Sequence, residues 1–213
     1  MSKIKIESLL AASKPSVLII EHRRRENIVV GVPHHAPGGT DTLPCPEHRA
    51  SDENTGYLGY FLAEKLNCCS IIACNYTTDV NKCLHSDYSM QIAKWRPAIL
   101  VEIHGHAGGI ANQKVIEISC GSEARNELSV GLARKLGTLF SKSRQLKNIS
   151  VIGDFRRLHF QATKSATITD HRWIPYHLEL PPMLRNKGAT KKPPKVGFMF
   201  CETLAKALTE IHN

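Results

Sequence analysis

The feature that most limits the possible folds is a nearly unbroken apolar segment at residues 98–103. Apolar side chains at consecutive positions predict a strand buried on both faces, as in a parallel sheet that helices cover. Other apolar, β-branched segments with strand character occur at residues 17–20, 27–32, 69–73, 114–119, 149–152 and 174–180. Helical patterns separate most of them, at residues 51–66, 87–95, 123–141 and 197–211. This alternation predicts a three-layer α/β sandwich with a mostly parallel, mixed sheet.

Local signals add detail to this prediction. The first two strand segments are separated by a short basic stretch, which is typical of a hairpin or of two neighbouring strands. Ser51 is predicted to cap the first helix, with Asp52 and Glu53 in its first turn. Since no Pro/Gly/Ser-rich linker divides the sequence, we expect one domain over residues 1–213.

Composition indicates a cytoplasmic protein. The sequence has no apolar run of about 18 residues, which a membrane-spanning helix would need. Its first residues alternate in charge and lack the apolar core of a secretory signal. Seven cysteines, an odd number without a Cys-x-x-Cys pair, favour reduced thiols over a disulfide scaffold. We therefore expect a cytoplasmic location and no membrane partner.

The formal net charge of +9 is compatible with two kinds of partner. Basic residues cluster at 22–25, 156–157 and 191–195, and such clusters occur both in nucleic-acid patches and in solvated loops. Aromatic residues make up only 6% and do not alternate with these clusters, so no base-stacking platform is indicated. An anionic small-molecule or peptide-like substrate accounts for the charge equally well, and we do not expect nucleic acid as the partner.

Histidines follow two separate strands of the predicted sheet. His34 and His35 come after the second strand segment, His104 follows the buried strand, and the acidic pair Asp52-Glu53 lies at a helix start between them. Ligands of open α/β sheets bind beyond the carboxyl ends of the strands. Two histidines and one carboxylate are the ligand set of many catalytic zinc sites. The sequence therefore predicts a zinc site, with either of the adjacent histidines and either acid as ligands. The alternative is that these histidines are ordinary polar residues at the rim of the sheet and that the two acids only complement the helix dipole.

A general base is predicted in the last strand. Its alternation places His177 and Glu179 on one face, opposite a row of apolar residues. A glutamate buried among leucines costs free energy unless it is paired, and burial would raise its pKa. Such a carboxylate can take a proton from a water at the metal. The alternative is a structural pair between Glu179 and a basic residue such as Arg185.

Four short motifs occur in the order seen in a known enzyme family. Residues 30–34 and the glycine-bearing loop after them resemble the strand-Pro-His opening of the N-formylglutamate amidohydrolases. Residues 79–82 are similar to the Asp-x-Asn-Arg segment of that family, and residues 100–105 to its second histidine strand. Residues 177–180 resemble its late Gln-x-Glu-Ile segment. The order and approximate spacing match over most of the chain.

The resemblance implies a carboxypeptidase-like fold, of the phosphorylase/hydrolase-like class, in which two histidines and one carboxylate hold zinc. Matched motif by motif, it makes His34 and His104 ligands and Glu179 the catalytic carboxylate. Spacing within the first helix favours Asp52 as the acidic ligand, whereas the use of glutamate by zinc carboxypeptidases favours Glu53. We take Glu53 as the predicted ligand and Asp52 as its alternate.

The resemblance also implies substrate contacts. Asn81 and Lys82, with Arg185 and His177, would bind a substrate carboxylate. Lys82 stands where the family usually has arginine, which would replace a bidentate clamp by a point charge. The expected activity is zinc-dependent hydrolysis of an amide bond in an N-acyl amino acid or small peptide-like substrate that carries a carboxylate. The alternatives are a zinc-binding member of the fold without activity and a non-catalytic basic nucleic-acid-binding protein.

Overall fold

The computed structural model describes residues 1–109, 113–186 and 192–212. Within these residues the sheet strands are β1 (Val17–Glu21), β2 (Arg25–Ala36), β3 (Asp52–Glu53), β4 (Cys68–Cys74), β5 (Ile99–Gly105), β6 (Val115–Ser119), β7 (Ser150–Ile152) and β8 (Ile174–Leu180). The α-helices are α1 (Lys3–Leu10), α2 (Thr55–Leu66), α3 (Asp87–Trp95), α4 (Asn126–Ser141), α5 (Ala166–Thr169), α6 (Pro182–Arg185) and α7 (Lys195–His212). Short 3-10 helices cover Glu123–Arg125 and Phe155–Arg157.

The strands form one mixed sheet in the order β1-β4-β2-β5-β8-β6-β7, with β3 paired to β2. The four central strands β4, β2, β5 and β8 are parallel to one another. Antiparallel pairs, β1 with β4 and β6 with β8, lie on either side of them. The predicted mostly parallel sheet is therefore confirmed. Because β2, β5 and β8 are parallel neighbours, their carboxyl ends meet at one edge of the sheet.

Successive side chains of the central strands enter two separate apolar cores. Val30 and Val101 belong to the core that α1, α2, α4 and α7 cover. Val29 and Leu100 belong to a smaller core on the opposite face, against α3 and α5. Helices thus cover both faces of the sheet, and the predicted three-layer architecture is confirmed. None of the described helices combines the length and apolar character needed to cross a membrane.

A β-bulge interrupts β2 close to its carboxyl end. Val32 is opposite Ile72 of β4, but His35 is opposite Cys74, so β2 has one residue more than its partner over this interval. An extra residue reverses the alternation of faces beyond it. The side chain of His35 therefore points to the same side of the sheet as that of Val32. The side chain of His34 points to the opposite side.

Because of the bulge, the predicted alternate ligand His35 lies on the opposite side of the sheet from His34. Its ring is fully buried, with Nε2 3.0 Å from the carbonyl oxygen of Leu10, and its Nδ1 accepts a hydrogen bond from the Gly56 N–H at 3.1 Å. A Cβ at position 56 would lie 2.6 Å from the His35 ring, so only glycine lets α2 pack this closely. Both ring nitrogens are occupied, and His35 has a structural role.

Three local predictions differ from the structure. The first two strands are not adjacent, because β4 lies between β1 and β2. The first long helix begins at Thr55, after Asn54 in a left-handed conformation, and not at Ser51. Helix α1 was not predicted, and it buries Ile6 and Leu10 in the larger core.

Candidate metal centre

Three buried side chains from three neighbouring strands converge at the carboxyl edge of the sheet. His34 comes from β2, Asp52 from β3 and His104 from β5. The Asp52 Oδ2 atom lies 3.5 Å from Nδ1 of His34 and 3.3 Å from Nδ1 of His104. Each of the three residues is at most 4% exposed. One carboxylate oxygen therefore faces two imidazole nitrogens in a site largely closed to solvent.

The donor set fits a divalent cation. His34 Nδ1 and Asp52 Oδ2 are buried and have no hydrogen-bond partner among the described residues. A buried polar atom without a partner costs about 1–3 kcal/mol, which a bound ion would remove. Two histidines and one carboxylate also form the usual protein ligand set of a catalytic zinc site. These atoms are therefore the ones that would hold the metal.

Glu53 takes no part in this cluster, which corrects its prediction as the acidic ligand. Its carboxylate accepts a hydrogen bond from the Gly39 N–H at 2.6 Å and another from the side-chain amide of Asn186. Adjacent residues of a strand point to opposite sides. Since Asp52 faces the histidines, Glu53 faces the loop at Gly39 instead. The alternate residue Asp52 is the acid that faces the two histidines.

A second row of carboxylates lies behind the two histidines. His34 Nε2 is 3.0 Å from Oδ1 of Asp79, and His104 Nε2 is 3.4 Å from Oε2 of Glu102. Histidine ligands of metals commonly use one nitrogen for the ion and donate from the other to a carboxylate. Sequence reasoning gave neither acid a role. Glu102 could have been found, because it lies two residues before His104 on the same face of β5.

Glu102 is fully buried and saturated with contacts. Its Oε1 accepts hydrogen bonds from the hydroxyl of Tyr88 at 2.9 Å and of Thr167 at 2.8 Å. Its Oε2 contacts His104 and the side-chain amide of Asn81, at 3.5 Å. A buried carboxylate is tolerated when its oxygens are paired in this way. The network fixes the ring plane of His104.

The carboxylates give the site a strong preference for positive charge. Burial by itself lowers the pKa of His104, but hydrogen bonds to Asp52 and Glu102 raise it to about 10. The pKa of His34 is raised in the same way, because Asp52 and Asp79 outweigh the effect of burial. A field that favours a proton also favours a divalent cation. A metal has to displace that proton, so its binding should weaken as the pH falls.

Glu179 lies beside the histidines with one oxygen free. Its Oε1 is 3.0 Å from His177 Nε2, whereas its buried Oε2 has no partner among the described residues. The His177 ring packs against that of His104 with ring centroids 4.1 Å apart. His177 and Glu179 share one face of β8, as the alternation predicted. The predicted alternative, an ion pair of Glu179 with Arg185, does not form.

The pKa of Glu179 moves in the direction opposite to the prediction. Burial alone raises it, but the hydrogen bond to His177 and the positive charge of His104 lower it overall. The prediction considered burial only, since sequence does not show which cations face a carboxylate. Glu179 is therefore ionised at neutral pH, which is the state that a proton acceptor requires.

The site opens into a cavity of about 460 Å³. His34, Asp52, His104, His177 and Glu179 all line it. Its wall also includes His48, Ala50 and the segment 159–165. The His48 ring stacks on that of His34 at 3.8 Å, and burial lowers the pKa of His48 to about 4. Sequence reasoning assigned no role to these wall residues.

Three of the four residues predicted to contact substrate, Asn81, Lys82 and His177, line the cavity, and each has a partner of its own. Lys82 Nζ donates to Oδ2 of Asp79 at 2.6 Å, which uses its charge to support His34. The Asn81 amide donates to the Ser165 hydroxyl at 3.2 Å, while its Oδ1 atom has no partner among the described residues. Asn81 thus retains one unpaired acceptor atom.

Arg185 does not line the cavity, and its predicted contact with substrate is wrong. The side chain is only 3% exposed, and its guanidinium donates to the carbonyl oxygens of Leu180, Glu53 and His106 at 3.1, 3.0 and 2.8 Å. A Cβ at Gly105 would lie 2.2 Å from the guanidinium carbon. Arg185 therefore holds three chain segments together beneath the site.

Arg185→Met is expected to lower the free energy of unfolding by about 3 kcal/mol, because buried carbonyl groups lose their charged donor. Urea unfolding followed by circular dichroism measures this change. Arg144→Met, at an exposed arginine that does not line the cavity, is the matched control and should change stability by less than about 0.5 kcal/mol. Equal stabilities of the two variants would contradict the structural role.

Comparison with known proteins supports the fold. No family model and no curated protein matches the sequence. Among solved structures, a bacteriophage poly-γ-glutamate hydrolase is similar, with a TM-score of 0.56, 15% identity and coverage of 95% of this chain and 93% of that one. A gene product of Agrobacterium tumefaciens has a TM-score of 0.53 and 15% identity, and covers 94% and 98%.

The N-formylglutamate amidohydrolase of Ralstonia eutropha is similar as well. It has a TM-score of 0.53 and 12% identity over 91% of this chain and 96% of that one. At such identities the likeness concerns the arrangement of helices and strands. The chain therefore has the three-layer, carboxypeptidase-like fold that its resemblance to the N-formylglutamate amidohydrolases implied.

Proposed function

We propose that this protein is a zinc-dependent hydrolase of amide bonds. Its substrate would be an N-acyl amino acid or a small peptide-like molecule that carries a carboxylate. The observation that carries the proposal is the convergence of His34, Asp52 and His104 beside the unpaired oxygen of Glu179 in one cavity. Ligands, base and space for a substrate are thus within one site.

The metal would be held by His34 Nδ1, His104 Nδ1 and Asp52 Oδ2. Held there, zinc would supply polarisation of the substrate carbonyl group and a water whose pKa is lowered to about 7. Asp79 and Glu102 keep the two rings oriented through their Nε2 atoms. The protein's part is therefore to supply a rigid, buried and negatively charged ligand set.

Glu179 would act as the general base and then as the general acid. Its Oε2 atom takes a proton from the attacking water and later returns it to the leaving nitrogen, so that the carboxylate is regenerated. His177 holds the other oxygen at 3.0 Å and prevents rotation of the carboxylate. Because Glu179 is ionised before the reaction, no proton has to leave it first.

The names of proteins with this fold support hydrolysis of amide bonds. One is a poly-γ-glutamate hydrolase and another is an N-formylglutamate amidohydrolase. Lys164, an exposed basic residue that lines the cavity, agrees with an anionic substrate. A zinc-binding protein of this fold without activity would need no free carboxylate oxygen beside the ligands, so the position of Glu179 favours the enzyme.

Hydrolysis assays on a panel of N-acyl amino acids and γ-glutamyl peptides test the proposal. We expect a product with a free amino group from at least one class of substrate. A strong chelator should abolish this activity, and added zinc should restore it. A chelator-treated sample returned to zinc-free buffer is the control. Full activity in metal-free protein would contradict the zinc mechanism, and inactivity of the zinc-loaded protein on every class would contradict amide hydrolysis.

A further inference from the structure

One wall of the cavity is a loop, residues 159–165, that strand β6 holds in place. The buried carboxylate of Glu117 accepts hydrogen bonds from the backbone N–H groups of His159 at 2.9 Å and Phe160 at 2.8 Å. The Ser119 hydroxyl donates to the carbonyl oxygen of Gln161 at 2.6 Å. These contacts come from inside the sheet, so the first half of the loop is fixed to the core.

The second half of the loop is fixed as well. Ala162 adopts a left-handed conformation with φ of 55°, which turns the chain sharply. Ser165 is 3% exposed, and its hydroxyl contacts Asn81 and Thr167 at 3.2 and 3.1 Å. The backbone of Lys164 therefore lies between a tight turn and a buried anchor, and its exposed side chain lines the cavity.

Lys164 differs from the other cations near the site. It is exposed, lines the cavity, and its ammonium group has no partner among residues 1–109, 113–186 and 192–212. Lys82 is bound to Asp79, and the Arg185 guanidinium is buried against carbonyl groups. Lys82 and Arg185, the lysine and the arginine among the four residues predicted to bind a carboxylate, have therefore already used their charge.

We propose that Lys164 is the residue that recognises the carboxylate of the substrate. A lysine ammonium on a flexible stem binds an anion as a point charge, and the fixed loop limits where that charge can be. The favoured substrate class is an amide with a free carboxylate next to the hydrolysed bond. This inference rests on the proposed function and gives its substrate selectivity a physical origin.

Calorimetric titration with N-acetyl-L-glutamate and with its uncharged diamide tests the proposal. All proteins carry Glu179→Gln, so that the probe is not consumed, and have the same measured metal content. We expect Lys164→Met to raise the dissociation constant of the dianion N-acetyl-L-glutamate about tenfold, which corresponds to about 1.4 kcal/mol of binding free energy. Binding of the diamide should be unchanged. Lys147→Met is the matched control, since Lys147 is exposed and does not line the cavity, and should bind as the parent does.

Three outcomes would overturn the assignment: equal binding of the dianion by Lys164→Met and its parent, the same loss in Lys147→Met, or no preference of the parent for the dianion. Failure of the proposed function is seen separately, as absence of zinc or of turnover in the wild type. A carboxylate-selective protein without turnover would keep the role of Lys164 and remove that of Glu179.

Discussion

Glu179→Gln is expected to lower kcat by about 10²–10⁴-fold on any substrate that the wild type cleaves, with the zinc content unchanged. Glutamine has the same shape and keeps an oxygen that can accept the hydrogen bond from His177. It cannot accept a proton, because an amide is not a base. Since Glu179 lies outside the group formed by His34, Asp52 and His104, the metal ligands remain complete. Steady-state kinetics beside metal analysis of the same samples measures both effects.

Glu53→Gln provides the control for this experiment. Glu53 does not line the cavity, and the single amide oxygen of glutamine can keep the hydrogen bond from the Gly39 N–H, so the change stays outside the metal site. Its kcat should stay close to that of the wild type. Full activity in Glu179→Gln would exclude Glu179 as the base. A loss of zinc that parallels the loss of activity would instead give Glu179 a role in holding the metal.

His104→Ala and Asp52→Ala are each expected to reduce zinc from about one ion per chain to a small fraction of that value. Each removes one of three protein ligands, and the loss should exceed the 10–100-fold effect typical of residues behind the ligands. Zinc content after dialysis against a buffered zinc solution measures the affinity directly.

Glu53→Ala separates the two acidic residues in the same measurement. The corrected assignment predicts that this variant retains zinc, because its carboxylate points to the loop at Gly39. The original sequence prediction expects the reverse. Circular dichroism of each variant checks that the fold is intact. If Glu53→Ala lost zinc and Asp52→Ala kept it, the cluster at the end of β2 and β5 would not be the metal centre.

Much of the fold could be predicted from the sequence because its elements have strong local signals. The strand at residues 98–103 is apolar at nearly every position, and the structure has β5 at Ile99–Gly105 between two parallel partners. The order of strands in the sheet was harder to predict from the sequence. Residues 17–20 were expected beside 27–32, but β4 pairs with both strands, and a local pattern does not identify its partner.

The site was predictable where a residue's position along a strand decides its direction. His104 and Glu179 are in register on neighbouring parallel strands, so their side chains lie side by side on one face. Their alternation in the sequence indicated the face on which each lies, and the pairing of β5 with β8 brings them together. Asp79 and Arg185 were not predictable in this way. Both sit outside the long strands, and their roles depend on which buried partners the chain brings to them.

The sequence by itself determined that histidines would follow two strands of a covered parallel sheet and that a glutamate would share their edge. Only the tertiary structure decided between His34 and His35 and between Asp52 and Glu53. The physical reason is that neighbouring residues of a strand point to opposite sides of the sheet. The single extra residue between Val32 and His35 reverses the side to which each later side chain of β2 points. The pairing of β3 with β2 then sets Asp52, and not Glu53, beside the two rings.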